Sequence, residues 1–119
     1  KNVGASETAI GSVEAQGHLY LLVGGESKDA DLSQWAKTAK INCKHVFAFG
    51  RDRARFVDAL SENVTALETL DQAFERAVQH AAEGDVILLS PACASFDQFK
   101  NYQERGVHFE ALVEAYREI

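Results

Sequence analysis

Three short segments gather most of the residues in this chain that could act on a small anion: Gly24-Gly25-Glu26-Ser27-Lys28, Gly50-Arg51-Asp52-Arg53 and Ser90-Pro91-Ala92-Cys93-Ala94-Ser95. Two adjacent glycines let a backbone turn tightly and approach a ligand, though such a pair is more often a plain turn. This pair satisfies neither the dinucleotide fingerprint G-x-G-x-x-G nor the phosphate-loop pattern G-x-x-x-x-G-K-[ST]. Lys28 supplies an ammonium able to hold a carboxylate, a charge-assisted contact worth roughly 1.5–3 kcal/mol. Elsewhere on a loop the same lysine would be a solvated charge. Arg51 stands as a second anion or nucleotide contact. Arg53 reads as one half of a local ion pair at a helix start, worth ~0–1 kcal/mol. In the third segment small residues and a proline replace the usual polar loop, so its backbone must pack closely. Ser95 or Asp97 can cap the helix that follows, whose free N–H groups favour an anion. A plain capped helix explains the same residues equally well.

Other chemistries fare worse. Cys93 as nucleophile with His108 as base lacks a third, orienting group, and a small loop cysteine commonly just packs. No catalytic residue is assigned on these grounds. His18, His45 and His80 fall at strand edges or on a helix surface, while Trp35 and the phenylalanines read as core or core margin. Tyr102 is the one aromatic close enough to the last loop to line a pocket. No closely spaced Cys and His pairs suggest a metal site. Cys43 and Cys93, the chain's 2 cysteines, fall in an expected strand and an expected buried loop, which argues for a reducing compartment rather than a disulfide framework.

The elements that must position these segments follow from periodicity. Val3 to Ala15 spaces Val3, Ile10 and Val13 as a helix would, with Gly17 as a stop. His18 to Val23 is a continuous apolar run ended by glycines, as in a strand buried on both faces. Asp31 is positioned to cap a helix carrying Leu32, Trp35 and Ala36. Lys44–Phe49, Val64–Leu67 and Asp85–Leu89 read as further strands. Helices are expected over Asp52–Leu60 and Leu70–Ala82, and over the tail, broken at Gly106, with Phe109, Leu112, Val113 and Tyr116 buried. Strands alternating with helices imply a mostly parallel sheet covered on both faces. Right-handed crossovers then collect the turn after every strand along one edge, where such sheets bind ligands. The decisive expectation is that the turns after the first and last strands lie side by side.

Composition sets the outer bounds. The chain has 119 residues, 46% hydrophobic and 25% charged, which suits one soluble domain. A net charge of -6 argues against nucleic acid as a partner. No apolar run approaches the roughly 20 residues of a membrane helix, and the opening residues lack a signal-peptide core, so a cytoplasmic location is expected.

The run from Leu89 through Ser90-Pro91-Ala92-Cys93-Ala94-Ser95-Phe96-Asp97-Gln98-Phe99-Lys100-Asn101 to Tyr102, with Glu104-Arg105-Gly106 and Phe109, resembles the closing motif of the UDP-N-acetylmuramoyl-L-alanine–D-glutamate ligases, the MurD family. Asn2-Val3-Gly4-Ala5 resembles the run after that family's D-S-K-x-T segment. Leu22-Val23-Gly24-Gly25 with Lys28 and Asp31 resembles its G-G-x-x-K-x-x-D loop, and Phe49-Gly50-Arg51 fits its next strand end. The resemblance implies that residues 1–119 form a single Rossmann-like, three-layer C-terminal domain, which binds D-glutamate and acts as a lid. It implies N-terminal and central ATP-binding domains that this chain lacks, so the isolated domain should be inactive. The implied reaction is ATP-dependent amide formation: the carboxylate of UDP-N-acetylmuramoyl-L-alanine is phosphorylated, and the D-glutamate amine attacks the acyl phosphate. ATP and Mg2+ would be held mainly by the central domain, and a monomer is expected. By position, Lys28 matches the lysine at one D-glutamate carboxylate and Ser95 a serine at the other, while Phe96 and Tyr102 match residues lining that end. Lys1 stands where the family has a threonine that helps bind D-glutamate. The alternatives are a free-standing doubly wound binding module without catalysis, and a sister ligase adding a diamino acid, D-alanyl-D-alanine, or glutamate to folate.

Overall fold

An unbroken apolar run must find neighbours on every side, and β1 (Leu19–Gly24) does: all six of its residues are buried. The computed structural model describes residue 10 and residues 16–24, 30–90 and 102–117. Along them β1 is followed by α1 (Ser33–Asn42), β2 (His45–Phe49), α2 (Arg53–Leu60), β3 (Val64–Leu67), α3 (Leu70–His80), β4 (Val86–Leu89) and α4 (Tyr102–Arg117). The strands form one sheet in the order β3-β2-β1-β4, and every pairing is parallel. Among the described residues no helix is long and apolar enough to cross a membrane.

Side chains alternate across a strand, so β1 feeds two cores. Leu19, Leu21 and Val23 join Trp35, Ala36 and Ala39 of α1, Phe56 and Leu60 of α2, and Ile10. Tyr20 and Leu22 join Leu70, Ala73, Phe74 and Ala77 of α3, with Phe109, Leu112 and Val113 of α4 packed against them. The result is the expected α/β arrangement of helix layer, sheet and helix layer. Edge-on aromatic pairs anchor both faces: Trp35 with Phe56 at 5.2 Å, and Phe74 with Phe109 at 5.7 Å.

Most boundaries fall within a residue or two of the sequence reading. Leu32 takes the cap position of α1, and Asp31, one residue earlier, accepts the Ser33 N–H at 2.9 Å. The α3 start is a capping box, with Gln72 N–H donating to Thr69 Oγ1 and Thr69 N–H to Gln72 Oε1. That helix ends at His80, two residues short of the expected Ala82. Asp85 explains the early stop, since its carboxylate accepts the N–H groups of Ala82 and His18, both at 2.8 Å. Of the stretch Val3–Ala15 only Ile10 is described; it is helical and buried. Cys43 is not in a strand but serves as the C-cap of α1.

Two expectations about the tail are corrected. The helix is not broken at Gly106, because α4 runs through it from Tyr102 to Arg117. A glycine in a helix interior costs roughly 1 kcal/mol against alanine, which is too little to interrupt a helix packed along α3. Tyr116 is 52% exposed rather than buried, although its ring meets Phe74 edge-on at 6.2 Å.

A Cβ added at Gly106 would meet no atom within 4 Å. Replacing Gly106 with Ala should therefore raise the unfolding free energy by about 0.5–1 kcal/mol, read from urea denaturation. A loss of stability would show that the position needs a bare backbone.

Candidate functional site

The strand order places the reversal of the winding beside β1. From β1 the chain moves outward through α1 to β2 and α2 to β3, then α3 carries it back to β4 on the other side of β1. Sheets of this kind bind ligands at such a switch point, beyond the carboxyl ends of the two strands. Here those strands are β1 and β4, paired in register from Leu19 opposite Val86 to Leu22 opposite Leu89. The Ser90 N–H continues the ladder to the Leu22 carbonyl at 2.8 Å, and Ser90 is fully buried. The chain leaving β1 goes to α1 on one face, whereas the chain leaving β4 re-enters as α4 on the other. The two exits diverge from adjacent points on one rim. The strand ends from which both turns leave are neighbours, while the turns themselves lie outside the described residues.

Close packing shapes that rim. Gly24 lies against Phe49, and an added Cβ would sit 2.4 Å from the Phe49 ring. Only glycine fits there. Gly50 turns the chain after β2 with φ of 85°, a conformation side chains disfavour. Arg53 closes this turn, its N–H and its Nη1 both donating to the Gly50 carbonyl, at 3.3 and 2.8 Å. Its role is local, as the sequence suggested, but it is played through a carbonyl rather than an acid. Arg51 is exposed at the same turn. On the α4 side, His108 Nε2 meets Asp71 Oδ1 at 2.5 Å, tying α4 to the first turn of α3.

The sequence-predicted site residues fall unevenly on this frame. Lys28, Ser95 and Phe96 lie outside the described residues, and so does the side chain of Tyr102, whose backbone opens α4. Cys93 is also outside them, while His108, imagined as its base, is engaged by Asp71. Burial pushes the Cys43 thiol up to about 12, so it is no nucleophile at neutral pH. Among the described residues no group of three His, Cys, Asp or Glu could hold a metal ion.

Two arginines drawn into the structure were missed. Arg55, on α2, donates from Nη2 to the Ala30 carbonyl at 2.6 Å, across 25 residues of sequence. Nothing in the local pattern distinguishes it from a surface helix charge. Arg105, one turn into α4, is only 3% exposed. Its sequence signal was present, because it lies on the same helical face as Phe109 and Leu112 and an unpartnered cation rarely goes there.

Comparison with known proteins follows the same outline. The family model described as "Mur ligase, glutamate ligase domain" matches residues 1–93. A UDP-N-acetylmuramoylalanine–D-glutamate ligase of Hydrogenovibrio crunogenus is 42% identical over 118 residues, covering 97% of this chain and 26% of that protein. The ligase of the same name from Escherichia coli strain K12 is 40% identical over 111 residues, 93% of this chain and 25% of its own length. This chain therefore spans about a quarter of the length of these relatives. Among solved structures, Escherichia coli FolC in complex with ADP, without folate substrate, superposes on 99% of the chain and 28% of its own, with a TM-score of 0.65 at 20% identity. That likeness concerns the fold alone.

The opposite edge of the sheet offers a measurable property. His45 Nε2 lies 2.8 Å from Thr65 Oγ1, and its ring stacks 6.1 Å from that of His80. Burial, and then the nearby His80 charge, hold the His45 pKa below the usual imidazole range. A lowered pKa means that the folded state binds fewer protons than the unfolded chain. Stability from this source is therefore complete above about pH 6.5 and is lost as pH falls through the lowered folded value. Urea midpoints should decline on acidification below neutrality, and His45→Gln should flatten that decline. An equally steep decline in the variant would clear His45 of responsibility.

Proposed function

Since the chain belongs to the Mur ligase family, as its glutamate ligase domain, we propose that it is the C-terminal, D-glutamate-binding domain of an ATP-dependent ligase that joins D-glutamate to UDP-N-acetylmuramoyl-L-alanine in peptidoglycan synthesis. The observation that carries this reading is the parallel pairing of β1 with β4. It starts the segments holding Lys28 and Ser95 from neighbouring points on one rim. The relatives' names supply the amino acid and the nucleotide-sugar acceptor.

What this chain would contribute is grip and orientation. The Lys28 ammonium would hold one carboxylate of D-glutamate. Ser95 and the N–H groups of a helix start would hold the other, since a helix's first turn favours negative charge. Phe96 and Tyr102 would wall that end. Arg51 would be a second contact to an anion or to the nucleotide. With both acidic ends fixed, the amine has one direction left in which to attack, and orientation of this kind can supply a large share of a rate enhancement. ATP with Mg2+ would supply the activated acyl group in the full enzyme. Both would be held mainly by the central domain. The proposed partners are the N-terminal and central domains of the same chain, closing over the substrates to exclude water. The proposed setting is a cytoplasmic monomer.

In the full-length enzyme, Lys28→Ala should lower kcat/KM for D-glutamate by about 2–4 kcal/mol, roughly 30- to 1000-fold. The KM values for ATP and the UDP-substrate should change little. Unaltered D-glutamate kinetics would remove Lys28 from the site. Equal turnover with another amino acid would remove D-glutamate from the proposal.

A further inference from the structure

Helix α4 lies on α3 with its apolar side only partly sunk. Phe109, Leu112 and Val113 are half-buried, and Phe109 meets Phe74 edge-on at 5.7 Å. Next to that aromatic contact, His108 Nε2 stands 2.5 Å from Asp71 Oδ1 and joins the first half of α4 to the first turn of α3. The carboxylate sits where a helix's free N–H groups favour negative charge. Both side chains are open to water, at 40% and 56% exposure, so protons reach them freely.

The charges around this contact come from few elements. Along α4, Glu104 and Arg105 precede His108 by one turn and Glu110 follows it. Along α3, Asp71 is followed by Glu75 and Arg76, with Glu68 just before the helix. The strands beneath contribute the apolar Leu22, Ile87 and Leu89 and the phenol of Tyr20. Glu83 and Asp85 line a groove beside Val113 and Tyr116. The second imidazole of this face, His80, closes α3 at its far end. Of these side-chain types, imidazole is the one whose charge ordinarily changes between about pH 5 and 8.

We propose that Asp71 and His108 form a pH-operated catch: a charged His108 holds α4 down on α3, and a neutral one lets it lift. The ion pair is complete while the imidazole is protonated and the carboxylate ionised. As pH rises through the titration of the imidazole, the attraction between opposite charges is lost and a weaker hydrogen bond remains. Half-buried side chains leave α4 sensitive to that loss, because elements with little buried apolar surface open most readily. The sign is opposite to that at His45: acid should loosen the fold as a whole and tighten α4. The catch involves no substrate, so it stands apart from the D-glutamate reading.

The test is amide hydrogen exchange of the full-length protein at about pH 5.5 and about pH 7.5, corrected for the intrinsic pH dependence of exchange. Peptides from α4 should be about two- to fivefold better protected at the lower pH, the range expected of one partly exposed ion pair. Peptides from α1 should show no such gain. In Asp71→Asn and in His108→Gln the gain in α4 should vanish. His108→Lys carries a fixed charge and should keep α4 protected at both pH values. No gain in the wild type, a gain that persists in Asp71→Asn, an equal gain in α1, or protection in His108→Lys as low as in His108→Gln would each overturn the proposal.

Discussion

When β4 pairs with β1 rather than with β3, the chain has to cross back over the sheet, and the layout of the molecule follows from that crossing. Two successive crossovers leave α1 and α2 on one face, and the return crossover puts α3 on the other. Handedness dictates the faces once the strand order is set. The order is stabilised by burial, since Leu21, Leu22 and Val23 are completely removed from solvent between two neighbouring strands and two helix layers. Each such side chain contributes about 1.5–3 kcal/mol relative to exposure. Pairing β4 elsewhere would leave one edge of this apolar strand without a ladder partner. The switch-point rim is therefore a consequence of how the most hydrophobic strand is satisfied.

The two sides of that rim are anchored unequally. On the β1 side, α1 sinks Trp35 fully into the core against Phe56, and Arg53 and Arg55 bind carbonyls of the turns around them. On the β4 side, Phe109, Leu112 and Val113 are only half-buried, and α4 rests on α3 through Phe74 and the half-exposed pair of Asp71 and His108. An exposed ion pair contributes ~0–1 kcal/mol. The α4 side is thus held by less buried surface than the α1 side, and it is the side from which the proposed Ser95 contact departs.

The parts of this fold that could be read from the sequence were those fixed by one strong local signal. His18–Val23 read as a strand buried on both faces, and the short run Val64–Leu67, which opens on the β-branched Val64 and Thr65, has the bounds of β3. Gly106 misled because glycine weakens a helix by an amount that packing along Phe74 overrides, and propensity carries no information about that packing. Tyr116 misled for the opposite reason: it has the right period for burial and its ring meets Phe74, yet in the last turn of α4 it stays 52% exposed. The early stop of α3 depends on the Asp85 carboxylate, which acts from the next strand. Arg55 was invisible because its partner is a backbone carbonyl 25 residues away, and any sequence would have supplied that carbonyl. The adjacency of the two strand ends was legible only as topology, and Lys28, Ser95 and Phe96 lie outside the described residues.

Fold and specificity separate cleanly along the chain. The sheet resembles that of FolC at 20% identity, so its rim is available to sequences that share little else. The family match ends at residue 93, before Ser95, Phe96 and Tyr102, while the ligases at 40–42% identity align across 93–97% of the chain. The model of the broad family thus takes in all four strands, and the likeness to the ligases named above extends over the segment after β4 as well. A small amino acid with two carboxylates needs two anion contacts at a set spacing. A parallel sheet with a switch point provides two loop origins one strand apart, near 4.8 Å. The distance between the contacts is then governed by how far each loop reaches from its origin. Selecting a different amino acid would require new loops on the same rim, with the sheet left as it is.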